Sequence, residues 1–257
     1  MSDSSSAIYP SLKGRVVFVT GGGSGIGASI VEEFARQGAR VSFVDISVEA
    51  SQKLVGKIAA EGLAAPRFIE CDLKDIEKLQ ATIRQVIASD GPIRTLVNNA
   101  AHDERHAIDD VTSDYFDDRV AVNLKHQFFA IQAVHGAMGD AGGGTIVNMG
   151  SVSWMIGQGG MPVYLSCKSA ITGLTRSMAR DLGPKNIRVN SILPGWIMTE
   201  RQMEKWLTVE GEEELMLRQC LKRKLQPVEV ARMVLFFSAD DSGICTNQSF
   251  VADGGWV

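Results

Sequence analysis

Val16-Val17-Phe18-Val19-Thr20-Gly21-Gly22-Gly23-Ser24-Gly25-Ile26-Gly27-Ala28-Ser29-Ile30-Val31 runs from an apolar, β-branched segment through a glycine-rich turn into an amphipathic stretch. The first part reads as a strand over Arg15–Thr20, and the apolar spacing over Ala28–Gln37 reads as a helix. Glycine at the turn lets the backbone come close to a bulky anion that side chains would hold off. The free N–H groups and positive dipole end of the helix then face that anion. A tight turn alone would also account for the glycines. Their place directly between strand and helix favours a cradle for a dinucleotide pyrophosphate, formed by Gly21, Ser24, Gly25, Ile26 and Gly27.

The same alternation continues along the chain. Further strands are predicted at Arg40–Asp45, Arg67–Cys71, Thr95–Asn98, Gly144–Met149, Ile187–Ile192 and Ser249–Ala252. Between them lie amphipathic stretches at Val48–Ala60, Ile76–Ala88, Tyr115–Met138 and Ala170–Leu182. Strands that are apolar nearly throughout suit a parallel sheet covered on both faces, and each parallel crossover needs a helix. The expected fold is α/β: one doubly wound Rossmann domain over 1–257, with a seven-stranded, mainly parallel sheet and the first strand at the switch point. Ligands of such sheets bind at the carboxyl ends of the strands.

Composition agrees with that class. A hydrophobic fraction of 45% supports a large core, and the net charge of −4 argues against a nucleic-acid partner. Cys71, Cys167, Cys220 and Cys245 are scattered without a paired spacing and read as free thiols of a reducing compartment. The start of the chain has neither the apolar core of a signal peptide nor the basic face of a transit peptide. No run is long and apolar enough to span a membrane, so the cytoplasm is the expected address. Residues 1–12 read as a flexible arm. Residues 196–224, charged and irregular, read as either a solvated helical face or a lid over substrate.

Asp45 ends the second strand, eighteen residues after Gly27, where a carboxylate can accept both ribose hydroxyls of an adenosine. It would repel a 2′-phosphate, and no cation at Gly22–Ser24 or Ile46 would offset that, which favours NAD. Asp72 and Leu73 after the third strand, and Asn99 and Ala100 after the fourth, lie at the same edge, where they can reach the adenine and the ribose of the cofactor; a capping or turn role is the alternative. Tyr164 and Lys168 stand one helical turn apart. A free phenol titrates near ~10, and a neighbouring ammonium favours its phenolate, bringing it toward the range of a useful general base. Ser151, thirteen residues upstream at the end of the fifth strand, can hold a substrate oxygen beside that phenol. Asn123 is a candidate for holding a proton-relaying water, or else a buried helix amide bonded to backbone.

Thr20–Gly27, Asp45, Asn98-Asn99-Ala100-Ala101, Asn123, Ser151, Tyr164-x-x-x-Lys168 and Pro194-Gly195-x-x-x-Thr199 occur in an order that resembles the short-chain dehydrogenase/reductase family over essentially the whole chain. That resemblance implies Tyr164 as the acid/base, Ser151 as the group polarising the substrate oxygen, and Lys168 as the cation that lowers the phenol's pKa and holds the nicotinamide ribose. It implies Asn123 in the relay and Pro194, Gly195, Ile197 and Thr199 against the nicotinamide carboxamide. It also suggests a homotetramer. Ala101 departs from the family's usual glycine, adding one methyl.

Substrate walls are expected from His102–Ile108, Val152–Pro162 and Trp196–Trp206. Asp103, Arg105, Ser153, Trp154 and Trp196 would give a hydrogen-bonding pocket with indole faces suited to a sugar, joined by Ser151 and Tyr164. Core or interface anchoring is the alternative for the tryptophans. His102-Asp103-Glu104-Arg105-His106 lacks the glutamate placement of a zinc motif, and no metal is expected. Ala7–Gly14, Asp103–His106 and Ser153-Trp154 are similar to the bacterial D-xylose and related aldose 1-dehydrogenases. That resemblance implies NAD-dependent oxidation of an anomeric hydroxyl to the aldonolactone. The rival expectations are a reductase of 3-oxoacyl or other carbonyl substrates and an NAD-sensing protein without catalysis.

Overall fold

The computed structural model describes residues 6–257. Seven strands, β1 (Val16–Thr20), β2 (Arg40–Asp45), β3 (Arg67–Glu70), β4 (Thr95–Asn98), β5 (Gly144–Met149), β6 (Ile187–Pro194) and β7 (Ser249–Ala252), form one sheet. Their order is β3-β2-β1-β4-β5-β6-β7, and all six pairings are parallel. The chain winds outward from β1 to β3, then returns to place β4 on the other side of β1. The switch point therefore lies between β1 and β4, as the sequence led us to expect.

Side chains alternate across the strands and divide the core in two. Val17, Val19, Phe43 and Val147 face a layer built from α1 (Gly25–Arg36), α2 (Val48–Ala60) and α9 (Pro227–Ser238). Phe18, Val44, Leu96 and Ile146 face the opposite layer, in which α3 (Ile76–Asp90), α5 (His126–Asp140) and α6 (Pro162–Leu182) bury Leu79, Ile83, Ile131, Val134 and Leu182. The apolar stretch Val230–Phe237 is mostly core, with Phe236 on the exposed side.

Two elements differ from the sequence reading. The stretch Tyr115–Met138, expected as one helix, is interrupted: α4 (Ser113–Val120) and α5 are joined by a π-turn over Ala121–Lys125. The wider turn seats Asn123 fully inside the protein. Helix α6 starts at Pro162, well before the amphipathic stretch from Ala170, with proline where its missing N–H costs nothing. Two short helices, α7 (Glu200–Lys205) and α8 (Val209–Arg218), occupy the irregular region after β6. Each starts at a threonine hydroxyl, Thr199 accepting from Gln202 N–H and Thr208 from Gly211 N–H.

Of the arm expected over 1–12, residues 1–5 lie outside the described residues. Beyond them the chain is docked: Tyr9 N–H donates to Gln37 Oε1 at 2.8 Å, Gln37 Nε2 donates to Ala7 O at 2.9 Å, and Leu12 is fully buried. Among the described residues no helix is long and apolar enough to cross a membrane.

The glycine turn is packed as tightly as the core. A Cβ on Gly27 would stand 1.9 Å from Gly21 O and 2.6 Å from Asn99 Nδ2. Gly27→Ala is therefore expected to destabilise the protein by about 1–3 kcal/mol, read as a lower urea midpoint. An unchanged midpoint would show that the turn is looser than this packing implies.

Candidate active site

The carboxyl ends of β1, β2, β4, β5 and β6 converge on one edge, and the site is assembled there. The N-cap of α1, Ser24, makes no side-chain bond to the helix. The first-turn N–H groups of Gly25 to Gly27 thus lack a side-chain cap, as an anion-binding terminus requires. Gly21 takes a positive φ of 66°, and a Cβ there would stand 2.7 Å from Ala100 Cα. Asp45 is fixed by two backbone donors, Gly23 N–H to Oδ2 and Ser47 N–H to Oδ1, both at 2.8 Å. Its carboxylate stays beside the turn, while the neighbouring Ile46 is 71% exposed. This open helix end beside a fixed carboxylate fits a dinucleotide. The turn and Asp45 would hold its pyrophosphate and adenosine ribose.

Asn99 serves the turn itself. Its Nδ2 donates to Thr20 O at 3.1 Å and Gly21 O at 2.8 Å, and its own N–H donates to the Thr20 hydroxyl. Asp72 is exposed, accepting from Lys74 N–H, and Leu73 is buried. Thr199 comes near the turn, because a Cβ on Gly25 would meet its Cγ2 at 3.2 Å. The segment after β6 and the glycine turn therefore share one wall.

Next to that wall opens a cleft of about 920 Å³. Ile26, Asn99, Ser151, Tyr164, Lys168, Pro194, Gly195, Ile197 and Thr199, drawn from five separate parts of the chain, all line it. Lys168 is 2% exposed and donates Nζ–H to Met149 O at 2.8 Å. Its ammonium lies 5.5 Å from the centroid of the Tyr164 ring. Burial pulls its pKa down to about 8. Burial also raises the Tyr164 phenol above its ordinary value, with the Asp103 carboxylate adding to the rise. The Ser151 hydroxyl and the Arg105 guanidinium act in the opposite direction. The phenol is thus less acidic than expected from the spacing, because desolvation and the Asp103 charge outweigh the Ser151 hydroxyl and the Arg105 charge.

Asn123 is a clamp. Its Oδ1 accepts from His102 N–H at 2.8 Å, and its Nδ2 donates to His102 O at 3.2 Å and Arg119 O at 3.0 Å. The side chain expected to hold a relay water is spent on backbone, which ties the loop after β4 to the π-turn. Beside it His126 is fully buried, donating Nε2–H to Ala100 O at 3.2 Å, and burial takes its pKa down to about 3. The ring is neutral.

The expected substrate residues separate into two groups. Arg105, Ser153 and Trp196 line the cleft; Trp154 does not, and its indole N–H is buried without a partner. Asp103 also lines it but is engaged, accepting from Arg201 Nε at 3.1 Å and Gln202 Nε2 at 2.6 Å. Burial alone would raise its pKa, and these two bonds outweigh burial and hold it low. Trp196 Nε1 donates to Gln202 Oε1 at 2.9 Å, so Gln202 joins one wall to the other. Arg105 stacks over Trp206 at 4.9 Å from the ring centroid. Gln202, Trp206 and the C-terminal Trp256 line the cleft without having been singled out from sequence. The first two fell within the stretch read as a wall. Trp256 gave no signal, since nothing local marks the end of the chain as part of a cleft. Among the described residues no group of three His, Cys, Asp or Glu side chains is placed to hold a metal ion.

A family model described as Enoyl-(Acyl carrier protein) reductase matches residues 21–257. The chain is 48% identical over 250 residues to the "Probable galactose dehydrogenase GalD" of Rhizobium meliloti, covering 97% of this chain and 98% of that one. It is 47% identical over 252 residues to the D-xylose 1-dehydrogenase of Caulobacter vibrioides, covering 98% and 99%. Among solved structures, a Serratia marcescens short-chain dehydrogenase/reductase is similar, with a TM-score of 0.87, 33% identity, and coverage of 96% and 99%. A blue fluorescent protein from a metagenomic library, solved with NADPH, has the same TM-score of 0.87, identity and coverage. Fold, site order and full-length similarity agree, and the chain is an oxidoreductase that belongs to the short-chain dehydrogenase/reductase family.

Proposed function

We propose that the protein oxidises the anomeric hydroxyl of a pentose or (deoxy)hexose to the aldonolactone, using NAD. The observation that carries this reading is the near-identical length and 47–48% identity shared with two proteins named for xylose and galactose. The cleft supports it. Trp196 and Trp206 offer flat apolar faces, while Arg105, Ser151 and Gln202 offer hydrogen bonds, the pairing that suits a compact polyhydroxylated ring.

An oxidised nicotinamide, when bound, supplies the acceptor for the hydride on C1 and a positive charge beside the phenol. The chain's residues do the rest. Tyr164 takes the hydroxyl proton from the sugar. Ser151 donates to the same oxygen as it gains carbonyl character. Lys168, anchored on Met149 O, holds its remaining N–H groups at the floor of the cleft, where a cofactor ribose would lie. Asp45 favours NAD, since its backbone-fixed carboxylate cannot swing away from a 2′-phosphate. The segment over 196–224 acts as the lid, held down by the Asp103 to Arg201 and Gln202 contacts. The same reading includes a homotetramer, for which exposed Phe116 and Phe128 on α4 and α5 supply apolar surface.

A panel of aldoses assayed with NAD and with NADP tests the proposal: reduction of NAD by at least one pentose or hexose, with NAD preferred over NADP, is the expected outcome. Turnover of a 3-oxoacyl substrate with no sugar oxidised would replace it. Tyr164→Phe is expected to lose on the order of 10²–10⁴-fold in kcat while still binding NAD, followed by titration calorimetry; full turnover would remove Tyr164 from its role. For Arg105→Met the sign follows from charge: a lost cation disfavours the phenolate, so the rising limb of kcat/KM against pH moves to higher pH. An unmoved limb would show that Arg105 leaves the phenol alone.

A further inference from the structure

Ser151 and Ser153 place their hydroxyl oxygens 2.8 Å apart, and the Ser153 backbone N–H donates to Ser151 Oγ at 3.1 Å. Ser153 lies in the turn that follows β5, is 7% exposed, and lines the cleft beside Ser151 and Tyr164. A serine hydroxyl has one hydrogen and two acceptor positions. The amide of Ser153 permanently occupies one acceptor position of Ser151, since an N–H can only donate.

The contact between the two hydroxyls has two possible directions. If Ser151 donated to Ser153, its hydrogen would point along the turn and the cleft would meet a lone pair. If Ser153 donates, both acceptor positions of Ser151 are filled and its hydrogen is left for the side facing Tyr164. An alcohol under oxidation builds negative charge on its oxygen before the carbonyl is complete, and that oxygen needs a donor. Only the second direction presents one. Ser151 already favours the phenolate of Tyr164, as a donor would.

We propose that Ser153 is a positioning residue whose hydroxyl donates to Ser151 Oγ and so commits the Ser151 hydrogen to the substrate oxygen. It acts through Ser151, in place of the direct substrate contact expected from sequence. The proposal rests on the role given to Ser151 under Proposed function, though not on the identity of the sugar. The turn that carries Ser153 is held independently by Gln158 N–H donating to Ser153 O at 3.1 Å and by Val152 N–H donating to Pro194 O at 3.1 Å. Removing the hydroxyl therefore leaves the backbone in place.

The test is a double-mutant cycle on the full-length enzyme with its best alcohol substrate, sugar or otherwise. It compares Ser153→Ala, Ser151→Ala and the double variant, with Ser153→Thr as the hydroxyl-retaining control and thermal melts on all four. Ser153→Ala is expected to lower kcat about 3–10-fold, the worth of one oriented hydrogen bond, with KM within about twofold. Ser153→Thr recovers most of the loss. In the Ser151→Ala background, removing the Ser153 hydroxyl changes residual kcat by less than about twofold, since the bond it served is already gone. A wild-type kcat in Ser153→Ala, or an equal fold-loss in both backgrounds, overturns the proposal alone. Full turnover by Ser151→Ala overturns it together with the role of Ser151. Should Ser153→Thr melt low because its methyl does not fit, the cycle decides the matter without it.

Discussion

Lys168 donating to Met149 O is the contact on which the site is hung. Met149 is the last residue of β5, and Lys168 lies in the second turn of α6. One bond from a buried ammonium thus fixes the helix to the end of the strand. Ser151 follows Met149 by two residues along the strand's exit, and Tyr164 precedes Lys168 by one turn along the helix. Both the Ser151 and the Tyr164 hydroxyls are placed by a tie that neither of them makes. The ammonium is almost wholly out of water. A charge so placed is tolerable only with good partners, which makes its geometry strict. Burial lowers the pKa of the same group to about 8, so it remains largely charged at neutral pH and gives up its proton under mildly alkaline conditions.

A second tie lies across the switch point. Thr20 ends β1, and its hydroxyl accepts from the N–H groups of Asn99 and Ala100, while Asn99 Nδ2 donates back to Thr20 O and Gly21 O. The ends of two neighbouring strands are thereby stitched together beneath the glycine turn. The glycines there answer two demands at once. They leave the helix end open toward the cleft, and they let Gly21, Gly27 and Ala100 meet at distances no side chain would permit. The sequence offered a tight turn or clearance for a phosphate as the reasons for these glycines, and it could not show that they must also admit Ala100 and Asn99 so closely.

Much of the fold was legible because the parallel strands are short apolar runs bounded by turn residues. Arg40–Asp45, Thr95–Asn98, Gly144–Met149 and Ser249–Ala252 form with the limits read from sequence. Strand β6 runs two residues further than expected because Leu193 and Pro194 go on pairing with Val251 and Ala252, a partnership set by tertiary contact. The interruption of the Tyr115–Met138 helix was hidden for a similar reason. A π-turn has no composition of its own, and what stabilises this one is the bonding of Asn123 to His102 and Arg119. Local pattern located Ser151, Tyr164 and Lys168, since strand end and helical spacing carry that information. It could not show that Asp103 would be taken up by Arg201 and Gln202, about a hundred residues away, or that Trp154 would turn from the cleft while Trp206 faced it.

The acidity of Tyr164 is where the sequence argument and the structure part most clearly, and the reason is physical. Spacing alone brings an ammonium near the phenol, and from that a lowered pKa follows. The fold adds what spacing cannot: it takes the phenol out of water, which opposes ionisation, and sets the Asp103 carboxylate within reach, which opposes it further. Ser151 and Arg105 work against both. Arg105 itself sits between Trp206 and the Met161 sulfur, to which it donates at 2.9 Å, and feels the attraction of Asp103 and Tyr164. Asp103 and Arg105 belong to the loop that Asn123 clamps, and Arg201 and Gln202, from the segment after β6, hold the Asp103 carboxylate and keep its pKa low. The Tyr164 phenol is therefore tied electrostatically, through Asp103, to the segment that follows β6.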